Sequence, residues 1–346
     1  HVRVMKEMPR LRPFQHTIHR VTNGVSRRYW PHEAFQDPDR IAASSDEDLL
    51  ATKKEIREPE VYWLAERLGL GKGWADEVIR EKRPIGLWTR RIVQYKRLER
   101  LPDLLSEDPA DLLSDPAGRE TFLETGMILI YGGRTHQDDG YGPDQYARIQ
   151  KLIQEDPRLR NRLIFFDNYN IWEAPRLFRM ADVVFVLSDQ DHEAAGTGFM
   201  KALMSGTLVI SSDDGAVPEF VTFYDGKNEE VANGFHVPYD ENKQPTVAGL
   251  RDAIAQFSRV FHEKEKLGKM VRNALEQTPR VSVDRTAQEM LTLFHNVVEQ
   301  SEQKEAFIRE GKRAADRALR QLSPMPEEAK KVLEQLNSNE PFVWRY

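Results

Sequence analysis

Residues 182–211 read DVVFVLSDQDHEAAGTGFMKALMSGTLVIS. An apolar run at 182–187 is followed by a polar stretch, a Gly196-Thr197-Gly198 turn, an amphipathic segment through Met204 and a second apolar run at 207–211. Runs this short and this continuously apolar suit strands buried on both faces, and a helix between two of them lets them lie parallel. The same alternation extends in both directions. Strands are predicted at 84–88, 127–131 and 162–166, with helices at 145–154 and 172–180. A weaker strand at 234–238 and helices over about 246–276 and 283–300 close the unit. The expected fold is α/β, a doubly wound, Rossmann-like parallel sheet with helical extensions at both ends.

Around this domain, placed at 84–300, residues 1–83 are expected to be a mostly helical lead-in. Ser45 with Asp48 marks a helix start there. Residues 101–118 carry Asp-Pro breaks and are expected to form a polar excursion. Residues 301–346 make a charged helical tail, with one long surface helix and a second after Pro324. The 346 residues are 40% apolar and 31% charged, with net charge −6, which gives no reason to expect general affinity for nucleic acid or anionic lipid. The chain has no cysteine, so thiolate ligands, disulfides and cysteine nucleophiles are excluded together. No run reaches the roughly 18 apolar residues of a membrane helix, and no secretory segment is visible, so a cytoplasmic location is expected. No metal-ligand spacing is present. The first residue is His1, and the chain is expected to start inside a longer product.

Polar motifs cluster where strands end. Small residues at Gly196-Thr197-Gly198 let backbone N–H groups approach an anion, and Lys201 follows one helical turn later among Met200, Ala202 and Leu203. An amine in apolar surroundings has its pKa lowered and becomes a candidate for condensing with an aldehyde. The plainer reading has the lysine reaching solvent and the glycines only allowing tight packing. After the first strand, Thr89-Arg90-Arg91-Ile-Val-Gln-Tyr95-Lys96-Arg97 offers four cations that suit a phosphate, or else a solvated basic turn. Asn23-Gly24 is an ordinary turn signal. Asp167-Asn168-Tyr169 could face the same crevice. Asp213-Asp214 could bind a cation, with a helix N-cap as the stronger reading. In an open α/β sheet such groups converge beyond the carboxyl ends of the strands.

In order and spacing these segments resemble the glycogen and starch phosphorylases. Thr22-Asn-Gly-Val with Arg27-Arg28-Tyr29-Trp30 resembles T-N-G-I-T-P-R-R-W, and Arg91-Ile-Val-Gln-Tyr-Lys-Arg97 resembles R-I-H-E-Y-K-R. Phe166-Asp-Asn-Tyr169 is similar to L-E-N-Y, Glu193–Lys201 to E-A-S-G-T-G-N-M-K, and Ser212-Asp-Asp-Gly-Ala216 to T-L-D-G-A. The resemblance covers about residues 17–220. It implies the C-terminal domain of a GT-B glycosyltransferase, with the N-terminal GT-B domain absent from this chain and supplied in cis or in trans.

The resemblance further implies retaining phosphorolysis of α-glucan to glucose 1-phosphate, with pyridoxal 5′-phosphate carried by Lys201. Arg91 and Lys96 correspond to the cations of the substrate phosphate. Glu193 and Asn23 correspond to groups that bind sugar hydroxyls. Gly196, Thr197 and Gly198 correspond to backbone donors near the cofactor phosphate and glucose, while Arg90 stands where the family has a lysine to that phosphate. Trp30 and Tyr169 correspond to groups beside the cofactor. Partners are then an α-glucan or oligosaccharide with phosphate or a sugar phosphate, and the isolated chain is expected to be inactive. Departures are Phe199 for asparagine, Ala195 for serine, Val93-Gln94 for His-Glu, and Asn170 where many members carry arginine. Two alternatives remain: a nucleotide-sugar GT-B enzyme without pyridoxal phosphate, and a non-catalytic glucan-binding subunit. Nucleotide-sugar enzymes commonly place a second glutamate eight positions after the first, and Lys201 stands there instead.

Overall fold

The computed structural model describes residues 19–108, 114–135 and 140–320, together with positions 327, 330, 331 and 334. Residues up to Thr286 form one compact unit and those from Ala287 a second. In the first unit six strands form one sheet: β1 (Ile85–Thr89), β2 (Ile128–Gly132), β3 (Leu163–Phe166), β4 (Val183–Val186), β5 (Leu208–Ser211) and β6 (Gly234–His236). All neighbouring pairs are parallel, in the order β3-β2-β1-β4-β5-β6. Every predicted strand is present, displaced by a residue or two at its ends. β1, β2, β4 and β5 are buried along their whole lengths, which is why they read as unbroken apolar runs. The chain winds outward from β1 to β3 and then returns to place β4 on the other side of β1. The order therefore reverses between β1 and β4, and a crevice opens beyond their carboxyl ends.

Helices cover both faces. The Asp46–Arg67 helix starts with the reciprocal Ser45–Asp48 capping box expected from the sequence. It is tied to the sheet by Lys53, a buried lysine that donates to the carbonyls of Ala181 (2.9 Å) and Ser205 (3.1 Å) and to the Thr207 hydroxyl (3.2 Å). Burial pushes the Lys53 amine down to about 8. The single helix predicted over 246–276 is two, Val247–His262 and Lys264–Leu275, broken at Glu263 where the backbone leaves the helical region. One straight helix of that span would be about 45 Å long and would overrun the sheet. The break instead lets Val271 and Leu275 pack with Phe35, Ile41, Leu49 and Ile56 in a second, smaller core. The first helix after β3 is Ala174–Met180, two residues shorter at its start than predicted. Of the polar excursion, the Arg100–Leu105 helix and the Gly118–Glu124 helix flank 109–113, which lie outside the described residues. The predicted helix after Pro324 also falls mostly outside them.

The lead-in belongs to the main core, where Val25, Trp30, Val61 and Leu64 join the buried side chains of the sheet. Val25 donates to Val281 O (2.9 Å) and accepts from Val283 N (3.0 Å), so the chain crosses itself beside Gly24. A Cβ at Gly24 would sit 2.3 Å from Ser282 O, a backbone atom that cannot rotate away. Asn23-Gly24 is therefore a backbone crossing as well as a turn. Gly24→Ala should destabilise the protein by about 1–3 kcal/mol, read as a lower midpoint of urea unfolding. The last helix, Val283–Arg320, passes residue 300 without interruption. No helix among the described residues is long and apolar enough to cross a membrane.

Candidate functional site

At the end of β1 the chain turns outward into Arg90. Its guanidinium spans the reversal point, donating to Leu187 O just past β4 (2.6 Å) and to Glu193 Oε2 (2.8 Å). Lys96 Nζ donates to the same Glu193 oxygen at 2.8 Å. All three side chains are only 11–14% exposed, so solvent screens the cluster weakly. Burial lowers the pKa of Arg90 and of Lys96, the latter further through Arg90, while Glu193 opposes both shifts. Arg91 is exposed, with its guanidinium 3.4 Å from the Tyr95 hydroxyl. Two cations thus share one carboxylate, with Arg91 exposed nearby, leaving an excess of positive charge at the mouth of the crevice. That arrangement attracts a dianion.

Two aspartates hold this cluster in place: Asp189, which the sequence reading does not single out, and Asp214, which it reads as a cation ligand or helix N-cap. Asp189 receives both arms of Arg97 (2.6 and 2.7 Å) and donates its own N–H to Tyr95 O (2.9 Å). This clasps the loop after β1 to the loop after β4, and Arg97 adopts a left-handed backbone (φ 54°) to reach it. Asp214 accepts three successive backbone N–H groups, from Asp191 (3.0 Å), His192 (3.2 Å) and Glu193 (2.7 Å). The helix N-cap favoured for this acidic pair is not formed, because the Val217–Phe220 helix has no side-chain cap. A tight loop presenting three successive N–H donors offers a buried carboxylate more hydrogen bonds than a helix end would. Nothing in Ser212-Asp-Asp-Gly-Ala216 announces this, since the donors lie about twenty residues away. Asp214→Ala takes the acceptor from these donors, leaving His192 N only its bond to Asp189 O, and should cost about 1–3 kcal/mol, with Asp214→Asn in between, measured by chemical denaturation.

Lys201 occupies the Gly198–Met204 helix, where all the helical residues around it except Gly198 are buried. Its amine lies 4.1 Å from the centre of the Trp30 ring and 5.9 Å from that of Phe178. Trp30 is held edge-on against Phe178, and Arg179 gathers the carbonyls of Tyr29, Trp30 and Pro31 at 3.3–3.4 Å. Among the described residues Lys201 forms no ion pair, and desolvation pushes its amine down to about 8. Lys201 is half-buried, and its amine rests on the Trp30 ring.

The other expected residues divide. Gly196 has the left-handed conformation (φ 71°) that only glycine adopts without strain, and Thr197 and Gly198 open the lysine helix. Burial raises the Tyr169 phenol to about 12, and the Tyr29 hydroxyl donates to Ile171 O (2.7 Å), bringing the Trp30 segment to the Tyr169 loop. Asn23 is exposed and stays apart from the ionic cluster, its carbonyl accepting from Arg285. Phe199 is fully buried against Phe220 (6.1 Å), so this departure from the family motif faces the core. Asn170 caps its own turn, accepting from Trp172 N (2.9 Å) and Glu173 N (3.1 Å).

Fold and site together define a doubly wound α/β domain with a cationic cluster at its switch point and a lysine set against two aromatic rings. Residues 145–306 match the carbohydrate phosphorylase family, and over that part the chain is a relative of those proteins. A glycogen phosphorylase of Mycobacterium bovis is 29% identical over 234 residues, 62% of this chain and 25% of that protein. A maltodextrin phosphorylase of Thermococcus litoralis is 26% identical over 314 residues, 80% of this chain and 35% of that protein. Among solved structures, a glycosyltransferase of Rickettsia africae aligns with TM-score 0.49 and 19% identity, over 82% of this chain and 58% of that one. The chain spans 25% and 35% of the lengths of the two curated relatives. Glu193, Gly196, Thr197, Gly198 and Lys201 fall inside the family match, whereas Asn23, Trp30, Arg90, Arg91 and Lys96 precede it.

Proposed function

We propose that this chain is the C-terminal half of an α-glucan phosphorylase-type glycosyltransferase, which cleaves α-1,4-glucan with inorganic phosphate to glucose 1-phosphate and retains configuration. The observation that carries this reading is the Lys201 amine, set against Trp30 and Phe178 with no ion-pair partner among the described residues. An amine lowered to about 8 has a substantial neutral fraction near neutral pH, and the pocket is apolar and aromatic. These residues fit pyridoxal 5′-phosphate. Bound there, the cofactor supplies a phosphate that exchanges a proton with the substrate phosphate.

The chain's own residues do the rest. Trp30 and Tyr169 would flank the cofactor, Arg90 would answer its phosphate, and Gly196, Thr197 and Gly198 would bring backbone donors close to it. Arg91 and Lys96 take the substrate phosphate, whose developing charge they stabilise. Glu193 uses one oxygen to hold Arg90 and Lys96 and keeps the other for a sugar hydroxyl. These groups supply one wall of a cleft, so activity requires a GT-B N-terminal domain that excludes water from the cluster.

The test is release of glucose 1-phosphate from α-1,4-glucan and inorganic phosphate, with pyridoxal 5′-phosphate added. It is run on the chain completed by an N-terminal domain and on the chain alone. Product from the first and not the second is expected. Sugar transfer from a nucleotide sugar without phosphorolysis would overturn the proposal.

A further inference from the structure

Lys53 is a buried amine that plays no part in the proposed chemistry. It lies on the Asp46–Arg67 helix and is 6% exposed. Its partners sit at the amino ends of β4 and β5, the end of the sheet opposite the crevice. Ala181 and Ser205 are the residues that close the Ala174–Met180 and Gly198–Met204 helices, and Lys53 donates to the carbonyl of each, at 2.9 and 3.1 Å. The first of these helices carries Phe178 and the second carries Lys201. One ammonium therefore joins the carboxyl ends of the two helices whose side chains meet at the Lys201 amine.

Both helices are seven residues long, too short to hold their place without tertiary contacts. Their last carbonyls lack partners inside the helix and form the negative end of its dipole, so a cation set against them satisfies both needs. Two further bonds carry the tie toward the site. The Ser205 hydroxyl donates to Lys201 O (3.1 Å), which fastens the capped residue to the lysine itself. The Thr207 hydroxyl accepts the third Lys53 N–H (3.2 Å) and shares its own proton between Ala181 O (2.8 Å) and Phe178 O (3.2 Å). Arg57, one turn further along the Lys53 helix, donates to Arg83 O and pairs with Asp182 (3.4 Å), and so bonds to neither helix end.

We propose that Lys53 is a positioning residue for Lys201, fixing through the two helix ends it caps the placement of the Lys201 amine against Trp30 and Phe178. The functional weight of this placement rests on the reading of Lys201 as the cofactor lysine, whereas its test reads the amine itself, without cofactor or glucan. Every group involved lies in the first unit, so the chain alone serves. Trace acetylation with acetic anhydride over a range of pH, mapped peptide by peptide, gives the titration midpoint of each lysine. Lys201 should titrate at about 8. Lys53→Met, of similar length but without charge or donors, should raise that midpoint by about one pH unit, toward the ordinary lysine value, and lower acetylation of Lys201 at pH 7.5 about eightfold. Ser205→Ala keeps the ammonium and removes only the hydroxyl on Lys201 O, and should move the midpoint the same way by less. Arg57→Lys loosens the same helix and should leave Lys201 unmoved. An unchanged midpoint in folded Lys53→Met would overturn the proposal, as would an equal shift in Arg57→Lys. An unchanged midpoint in Ser205→Ala overturns it even where Lys53→Met shifts, since loss of a nearby positive charge would then suffice, and that variant decides alone if Lys53→Met does not fold. A wild-type chain that takes no pyridoxyl label on Lys201 would count against the cofactor reading and leave these midpoints standing.

Discussion

Borohydride treatment of the protein in the presence of pyridoxal 5′-phosphate is expected to leave a pyridoxyl group on Lys201. Selectivity follows from the pocket. At pH 7.5 an amine titrating at about 8 is about a quarter neutral, whereas an ordinary lysine is about one part in a thousand neutral. Only the neutral amine attacks an aldehyde, so Lys201 should react on the order of 200-fold faster than a surface lysine. The sign of the pH dependence is set by the same shift. Labelling should rise as pH climbs through about 8 and then level off, instead of rising on toward the ordinary lysine range. Because the folded amine binds its proton less tightly than the unfolded one, this group also makes folding more favourable as pH rises through that interval. Lys201→Ala and Lys201→Arg should take no label. In the completed enzyme they should lose activity by a factor on the order of 10³ or more. Peptide mapping of a saturated sample with the label spread over surface lysines would refute the assignment.

Lys96→Ala should lower phosphorolysis in the completed enzyme by a factor on the order of 10²–10³, with the loss in both kcat and kcat/KM. The ammonium is 11% exposed, so its charge acts on the crevice with little screening. Glu193 keeps its contact with Arg90 in this variant, so the loops after β1 and β4 stay joined and circular dichroism should not change. Glu193→Gln is the contrasting case, since it leaves Arg90 and Lys96 side by side without a counter-charge and should cost stability. An unchanged rate for Lys96→Ala in an active assembly would remove this lysine from the phosphate site.

The strands were legible because a parallel sheet covered on both faces demands uninterrupted apolar runs, and five such runs stand in the text, with a weaker sixth at 234–238. Order along the chain also placed the polar motifs at strand ends, hence Arg90, Lys96 and Glu193 at one edge. What periodicity cannot convey is pairing at a distance. That Glu193 takes both Arg90 and Lys96, or that Asp189 clasps Arg97, depends on β1 and β4 being neighbours although 93 residues separate Thr89 from Asp182. The break at Glu263 was hidden for a similar reason, since the apolar spacing on either side of it is helical and only the size of the sheet requires a corner.

Lys201 shows the division most sharply. Its neighbours Met200, Ala202 and Leu203 put it on a buried helix and made an apolar setting one of two readings. The choice between a solvated amine and one set against aromatic rings belonged to Trp30, 171 residues earlier, and to Phe178, which arrive over it only when the lead-in packs against the sheet. Local composition settles which segments become strands and helices, because backbone hydrogen bonding and burial act over a few residues. Charge state and reactivity were left to the tertiary structure, because desolvation depends on every atom that displaces water from the group, and most of those atoms come from elsewhere in the chain.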